Sequence, residues 1–296
     1  MKLQTIVDIR PSTWKIGYGD NILMLGSCFS DEIGEQMKQR YMNVTCNPFG
    51  TLYNPLSIAQ AINYKSQISN HRLPLVEYEG MWHSMAHHGS FSRPTREEAE
   101  QAVKESVETM QKALGEATVV IVTFGTAWVY EMQKCENGEM RKYIVGNCHK
   151  LPEKCFTRRR LIVEEIVTAW KPILERYPDK HWLFTVSPIR HIKDGLHENQ
   201  LSKATLLLAV DELVKCENAK MRKCQYFPSY EIFLDELRDY RFYADDLVHP
   251  SSLAVNYIWE RFVDTFCTSG TKNELNLGRK RWKHEHHIPL HELPNS

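Results

Sequence analysis

Gly26-Ser27-Cys28-Phe29-Ser30 sets two nucleophilic side chains next to each other early in the chain, and Asp246-Leu247-Val248-His249 sets a carboxylate three residues before an imidazole near its end. A thiol or hydroxyl attacks well when a base removes its proton and a third group orients that base. On a turn leading into a helix, Asp246 can accept a hydrogen bond from one ring nitrogen of His249 while the other nitrogen faces the nucleophile. The chemistry predicted is nucleophilic catalysis by Cys28 or Ser27. In Ser187-Pro188-Ile189-Arg190-His191, His191 competes with His249 as base, and Arg190 is a candidate for binding an anionic substrate group.

These residues need elements to hold them. Ile22 to Leu25 are four apolar residues closed by Gly26, which reads as a strand buried on both faces; Ser30 caps the following helix, with Asp31 and Glu32 in its first turn. That places Ser27 and Cys28 at a strand's carboxyl end, where open α/β sheets bind their ligands. Further strands are expected at 43–47, 117–125, 182–188 and 225–227, and helices from Pro55 to about Tyr64, after the Thr95-Arg96-Glu97-Glu98 capping box, and over 160–175, 199–218 and 253–266. The alternation predicts an α/β fold: a flavodoxin-like three-layer α/β/α sandwich with a parallel sheet of about five strands. One domain over residues 1–270 is expected, with aperiodic insertions near 73–94 and 128–157, and with 271–296 as a surface tail or packing arm.

Composition narrows the function. Lysine plus arginine and aspartate plus glutamate number 37 each in 296 residues, so no nucleic acid or acidic membrane surface is expected as partner. No segment approaches the roughly 18 apolar residues of a membrane span, and a cytoplasmic protein is expected. The eight cysteines are scattered, without a CxxC pair. No phosphate-cradling loop, dinucleotide fingerprint or HExxH occurs, so no cofactor is expected. Met81 to Ser90 is rich in histidine but has no acidic or cysteine ligand beside it, which argues against a metal. Trp82, His83 and His87 there, and Trp128 and Tyr130 after the central strand, are candidates to line the substrate crevice; packing over the sheet is the alternative.

The nucleophile turn and the distant Asp246-x-x-His249 together resemble the first and last blocks of the SGNH (GDS-motif) hydrolases, and the pentapeptide itself is similar to that of the GSCFA family within that superfamily. The resemblance spans about Asn21 to Phe266. It implies an SGNH hydrolase-like fold and an ester hydrolase or O-acyltransferase without metal, acting on a small-molecule or glycan acyl ester, with an acyl donor if the reaction is transfer. Gly50 resembles the second-block glycine whose amide stabilises an oxyanion, and Gly125 the third-block glycine. The column of the superfamily's nucleophile holds Cys28, which ranks it above Ser27, and a helix N-terminus beside a histidine is expected to lower the thiol's pKa. The third block reads Gly125-Thr126-Ala127 and lacks the superfamily's asparagine donor, leaving Thr126, Asn147 or Asn47 to stand in. Each residue also has a plainer account. Cys28 can be inert core, His249-Pro250-Ser251 only a helix start, and the glycines only conformational. A non-catalytic glycan-binding protein on the same fold is the rival.

Overall fold

The side chains of the first strand alternate between two separate apolar clusters, Leu23 and Leu25 in one, Ile22 and Met24 in the other. A strand sandwiched between two helical layers requires this period of two. A computed structural model describes residues 4–68, 75–136, 139–215 and 223–286. In chain order its first half comprises β1 (Ile22–Gly26), α1 (Cys28–Lys38), β2 (Val44–Cys46), α2 (Pro55–Ile68), β3 (Leu75–Tyr78), β4 (Met81–Ser84), α3 (Arg96–Glu116) and β5 (Val119–Phe124). Then follow β6 (Trp128–Glu136), β7 (Glu139–Ile144), β8 (Phe156–Arg160), α4 (Val163–Arg176), β9 (His181–Val186), α5 (Leu196–Lys215) and β10 (Cys224–Phe227). A short α6 (Ser229–Glu231), α7 (Ser252–Phe266) and α8 (Ser269–Glu285) complete the described chain.

The main sheet has five strands in the order β2-β1-β5-β9-β10, every neighbouring pair parallel. Helices α2 to α5 cover the Leu23 face, and α1, α7 and α8 cover the Ile22 face, giving the expected three layers. The chain leaves β1 toward β2 on one side and returns to β5 on the other, which opens a crevice at the carboxyl ends of β1 and β5.

Four local features depart from the sequence expectations. Helix α1 starts at Cys28, with Ser27 as its cap residue instead of Ser30. Gly26 is the cause: at φ +131° it turns the chain at once, and a Cβ there would lie 2.1 Å from the carbonyl oxygen of Thr123. Ser30 is thereby freed to donate to Thr123 Oγ1 at 2.7 Å. Over the stretch expected to be aperiodic at 128–157, β6, β7 and β8 form a three-stranded antiparallel sheet that runs on to Arg160. Its alternation is masked by Glu131, which is buried on the inner face where it accepts from Arg159 Nε at 2.7 Å.

Within 73–94, of which 73 and 74 lie outside the described residues, β3 and β4 form a hairpin. Glu79 and Gly80, both left-handed, make its turn. The segment from Thr268 onward, expected to lack a core pattern, is helical to Glu285, while 287–296 lie outside the described residues. Its contact rests on buried Leu275 and on Gly278, where a Cβ would come 2.7 Å from the Arg40 carbonyl oxygen, so backbones touch where an apolar stripe would ordinarily pack.

The two ends of the domain are laced together at Ile16. This fully buried residue donates its amide to the Phe266 carbonyl at 2.7 Å, and its own carbonyl accepts from Thr271 Oγ1 at 2.9 Å. Among the described residues no helix is long and apolar enough to cross a membrane.

Candidate active site

Cys28 is the first residue of α1, at the carboxyl end of β1. First-turn amides find no carbonyl inside their own helix, and here those of Cys28 and Phe29 are turned to the Cys28 sulfur and favour its anion. Two larger effects oppose them. Burial first, and then the Asp31 carboxylate, push the thiol above its ordinary value. The expected lowering therefore does not occur, because the same helix turn that supplies amides also supplies acids. Ser27 is 1% exposed, and its buried Oγ has no hydrogen-bond partner among the described residues.

The carboxyl-terminal pair sits on a loop shaped by its own aspartate. Asp246 Oδ1 accepts the amides of Val248 and His249, each at 2.9 Å, while Leu247 takes a left-handed φ of +57°. Asp246 Oδ2 lies 2.5 Å from His249 Nδ1, and these bonds hold its carboxyl down at about 2. With Nδ1 fixed as the donor, Nε2 is left as the acceptor, and it lies 4.0 Å from Cys28 Sγ. The order thiol, imidazole, carboxylate is that of a nucleophile, its base and the base's orienting group. Ligand-free sites commonly show such contacts long.

The residues expected to hold an oxyanion are engaged elsewhere. Gly50 donates its amide to the Asn47 carbonyl at 2.7 Å, closing a turn in which its φ is +73° and a Cβ would meet His88 Cβ at 2.3 Å. The amides of Gly125 and Thr126 both go to the Tyr53 carbonyl, at 2.8 and 3.0 Å. Thr126 Oγ1 pairs with Ser202 Oγ at 3.1 Å, and Asn147 Oδ1 accepts the His149 amide at 2.7 Å. Asn47 bridges the turn itself: Oδ1 accepts the Gly26 amide at 2.8 Å and Nδ2 donates to Asp31 at 2.9 Å.

The sequence model of the GSCFA family matches residues 21–262. The chain belongs to the GSCFA family. Neither the curated proteins nor the solved structures include a match to it.

In this GSCFA protein the candidate crevice residues fall into two groups. Trp128 and Tyr130 open β6, which follows the carboxyl end of β5, and Arg190 and His191 lie in the loop after β9. Arg158 lies 4.0 Å over the Trp128 ring and 5.6 Å from that of Tyr130, so a cation already covers the tryptophan face. Arg190 is spent on positioning: its guanidinium donates to the Leu247 carbonyl, its amide reaches the Val248 carbonyl at 3.4 Å, and its planar group stacks 4.2 Å over Tyr243. It thus clamps the Asp246–His249 loop. Burial first, then Lys203, His249 and Arg158, pull His191 down to about 3, which makes it a poor rival to His249 as base.

Trp82, His83 and His87 form the second group. His87 is fully buried, with Nδ1 at 2.7 Å from Ser84 Oγ and Nε2 at 3.1 Å from Ser106 Oγ, and Ser106 in turn donates to the Pro48 carbonyl at 2.8 Å. His83 Nδ1 pairs with Ser92 Oγ at 2.7 Å, and Arg96 lies 5.4 Å from the Trp82 ring. His87 braces the 47–53 loop from behind, its ring stacked at 4.1 Å on that of Phe49. Among the described residues no group of three His, Cys, Asp or Glu side chains could hold a metal.

The structure adds Tyr53, a residue that belongs to none of the motifs. Its ring meets His191 edge-on at 6.0 Å, and its hydroxyl has no hydrogen-bond partner among the described residues. Burial first, then Cys28 and Asp31, raise its pKa, so it stays a donor beside the thiol. Only the topology joins Tyr53 to residue 28.

Proposed function

We propose that this protein is an SGNH-type acyl-ester hydrolase or O-acyltransferase that works through a thioester on Cys28. The observation that carries the proposal is the alignment of Cys28 Sγ, 4.0 Å from His249 Nε2, with His249 Nδ1 held 2.5 Å from Asp246. His249 takes the thiol proton as sulfur bonds to the ester carbonyl carbon. The C–O bond then breaks and the departing alkoxide takes that proton from the imidazolium. Water, or an acceptor alcohol, next attacks the thioester and gives its proton to His249, which returns it to sulfur as the C–S bond breaks. The amides of Cys28 and Phe29 and the Tyr53 hydroxyl supply donors for the oxyanion. The substrate is an O-acylated small molecule or carbohydrate, and the free thiols of Cys28, Cys46, Cys148, Cys155 and Cys267 suit the reducing cytoplasm.

The test is turnover of p-nitrophenyl acetate, with mass spectrometry of the quenched enzyme. The expected result is a 42-Da acetyl adduct on the peptide containing Cys28, about the mass change of acetyl replacing hydrogen. Cys28→Ala and His249→Ala abolish turnover while Ser27→Ala retains it. Undiminished turnover in Cys28→Ala and His249→Ala overturns the proposal.

A further inference from the structure

On α5 the positions facing the sheet are Asn199, Ser202, Lys203, Leu206, Ala209, Val210 and Leu213, a spacing that one buried helical face requires. The last four are apolar, as a core face should be. The first three are polar, buried, and bonded to the loops at the strand ends. Asn199 Oδ1 accepts the His191 amide at 2.9 Å, and Ser202 Oγ accepts the Ala127 amide at 2.8 Å. Lys203 is 0% exposed and donates to the Gly125 carbonyl after β5 and to the Ser187 carbonyl after β9, each at 2.7 Å.

A clamp between two carbonyls needs donors, and a neutral amide would serve. A buried positive charge is costly and calls for its own explanation. Among the described residues Lys203 has no ion-pair partner; the ring of Tyr230 lies 5.7 Å from its nitrogen. Its neighbour Gly125 is packed on the nucleophile turn, where a Cβ on that glycine would meet Ser27 Cβ at 3.2 Å.

We infer that Lys203 is a positioning residue for the nucleophile, holding the ends of β5 and β9 together and placing beneath the crevice the positive charge that balances the Cys28 thiolate and the oxyanion that follows it. This rests on the proposed acyl transfer for its catalytic consequence. Burial pulls the lysine down to about 7, and Cys28 is the ionisable group that opposes that pull. On the other side, Asp31 and Glu32 work against the thiolate, and His191 feels Lys203, His249 and Arg158 together. While it is protonated, Lys203 therefore offsets the acids of the first turn.

The test compares Lys203→Gln and Lys203→Met, both neutral, with Lys203→Arg, which keeps the charge. Alkylation of Cys28 by iodoacetamide is followed against pH by peptide mass spectrometry, with circular dichroism to check folding. Below about pH 7, where Lys203 carries its charge, the neutral variants are alkylated at Cys28 about tenfold more slowly than the wild type, whereas Lys203→Arg labels at the wild-type rate. Ester turnover falls through kcat with little change in KM. A folded neutral variant that labels at the wild-type rate below about pH 7 overturns the inference, and so does loss of fold in both neutral variants while Lys203→Arg folds, which marks a purely structural clamp. Absent ester turnover in the wild type would count against the proposed function and leave the alkylation comparison standing.

Discussion

Cys28 and His249 lie 221 positions apart in sequence, yet the thiol sulfur of one is 4.0 Å from Nε2 of the other. The thiol is pushed above its ordinary value by burial and by Asp31, so the resting sulfur is a thiol and not a preformed thiolate. On the proposed function, the thiolate forms only as the substrate binds. Iodoacetamide should accordingly label Cys28 slowly near pH 7 and about tenfold faster for each pH unit up to an elevated midpoint. A fast, flat profile from pH 6 to 8 would show a stable thiolate and contradict this.

Asp246 keeps its charge down to about 2, so no loss of activity in mildly acidic solution should come from it. Its task is to fix the ring of His249. Asp246→Asn is expected to lower kcat by about 10²–10⁴ with an unchanged circular dichroism spectrum. Steady-state kinetics on a chromogenic ester check this, and full activity in the variant would remove Asp246 from the mechanism.

Tyr53→Phe deletes one hydroxyl and little else, because that hydroxyl has no partner among the described residues. Loss of an oxyanion donor typically lowers kcat about 10²–10³-fold. The variant should show that loss with KM and Cys28 alkylation near wild type. An altered KM with kcat intact would instead make Tyr53 a substrate contact.

Gly26→Ala should destabilise the fold by about 3 kcal/mol or more, since it combines an unfavourable φ with a backbone clash. The new Cβ would lie 2.1 Å from the Thr123 carbonyl oxygen, an atom fixed in the neighbouring strand. Urea denaturation measures the difference. A variant as stable as the wild type would mean that the β1 turn can relax.

His87 is held neutral because burial pulls it from 6.5 to about 3. Its folded value is depressed, so its contribution is complete above about pH 6.5 and is lost as the pH falls through the folded value, by up to about 1.4 kcal/mol per pH unit. Thermal melts between pH 7 and 4 should show the decline. His87→Gln, which cannot take a proton but can still bond hydroxyls, should flatten it; an equally steep decline in the variant would assign the effect to other groups.

The five-stranded parallel sheet was legible because β1 and β5 are dense apolar runs, closed by glycine and separated by a capped amphipathic helix. The approach of Cys28, His249 and Asp246 to one another was legible from side-chain chemistry and from where these residues fall in the strand and helix pattern. What stayed hidden had physical causes. Glu131 put a charge on the inner face of β6, and its partner Arg159 lies on another strand, so the alternation looked broken. Helix α8 is held by Gly278 against the Arg40 backbone, a contact with no apolar signature. Tyr53 and Lys203 are ordinary residues until the strand order brings them to residue 28. The oxyanion candidates failed for a related reason, since which amides are already taken depends on how the loops close on each other.

The knot at Ile16 has a consequence for biosynthesis. Residues 266 to 271 must leave the ribosome before they can grip that early residue, so the sheet stays untied at its margin for most of synthesis. At roughly 5–20 residues per second, a nascent chain carries its cysteine for tens of seconds with no base in reach. The unfinished polypeptide thus lacks the approach of imidazole to sulfur, which arrives only with the last helices.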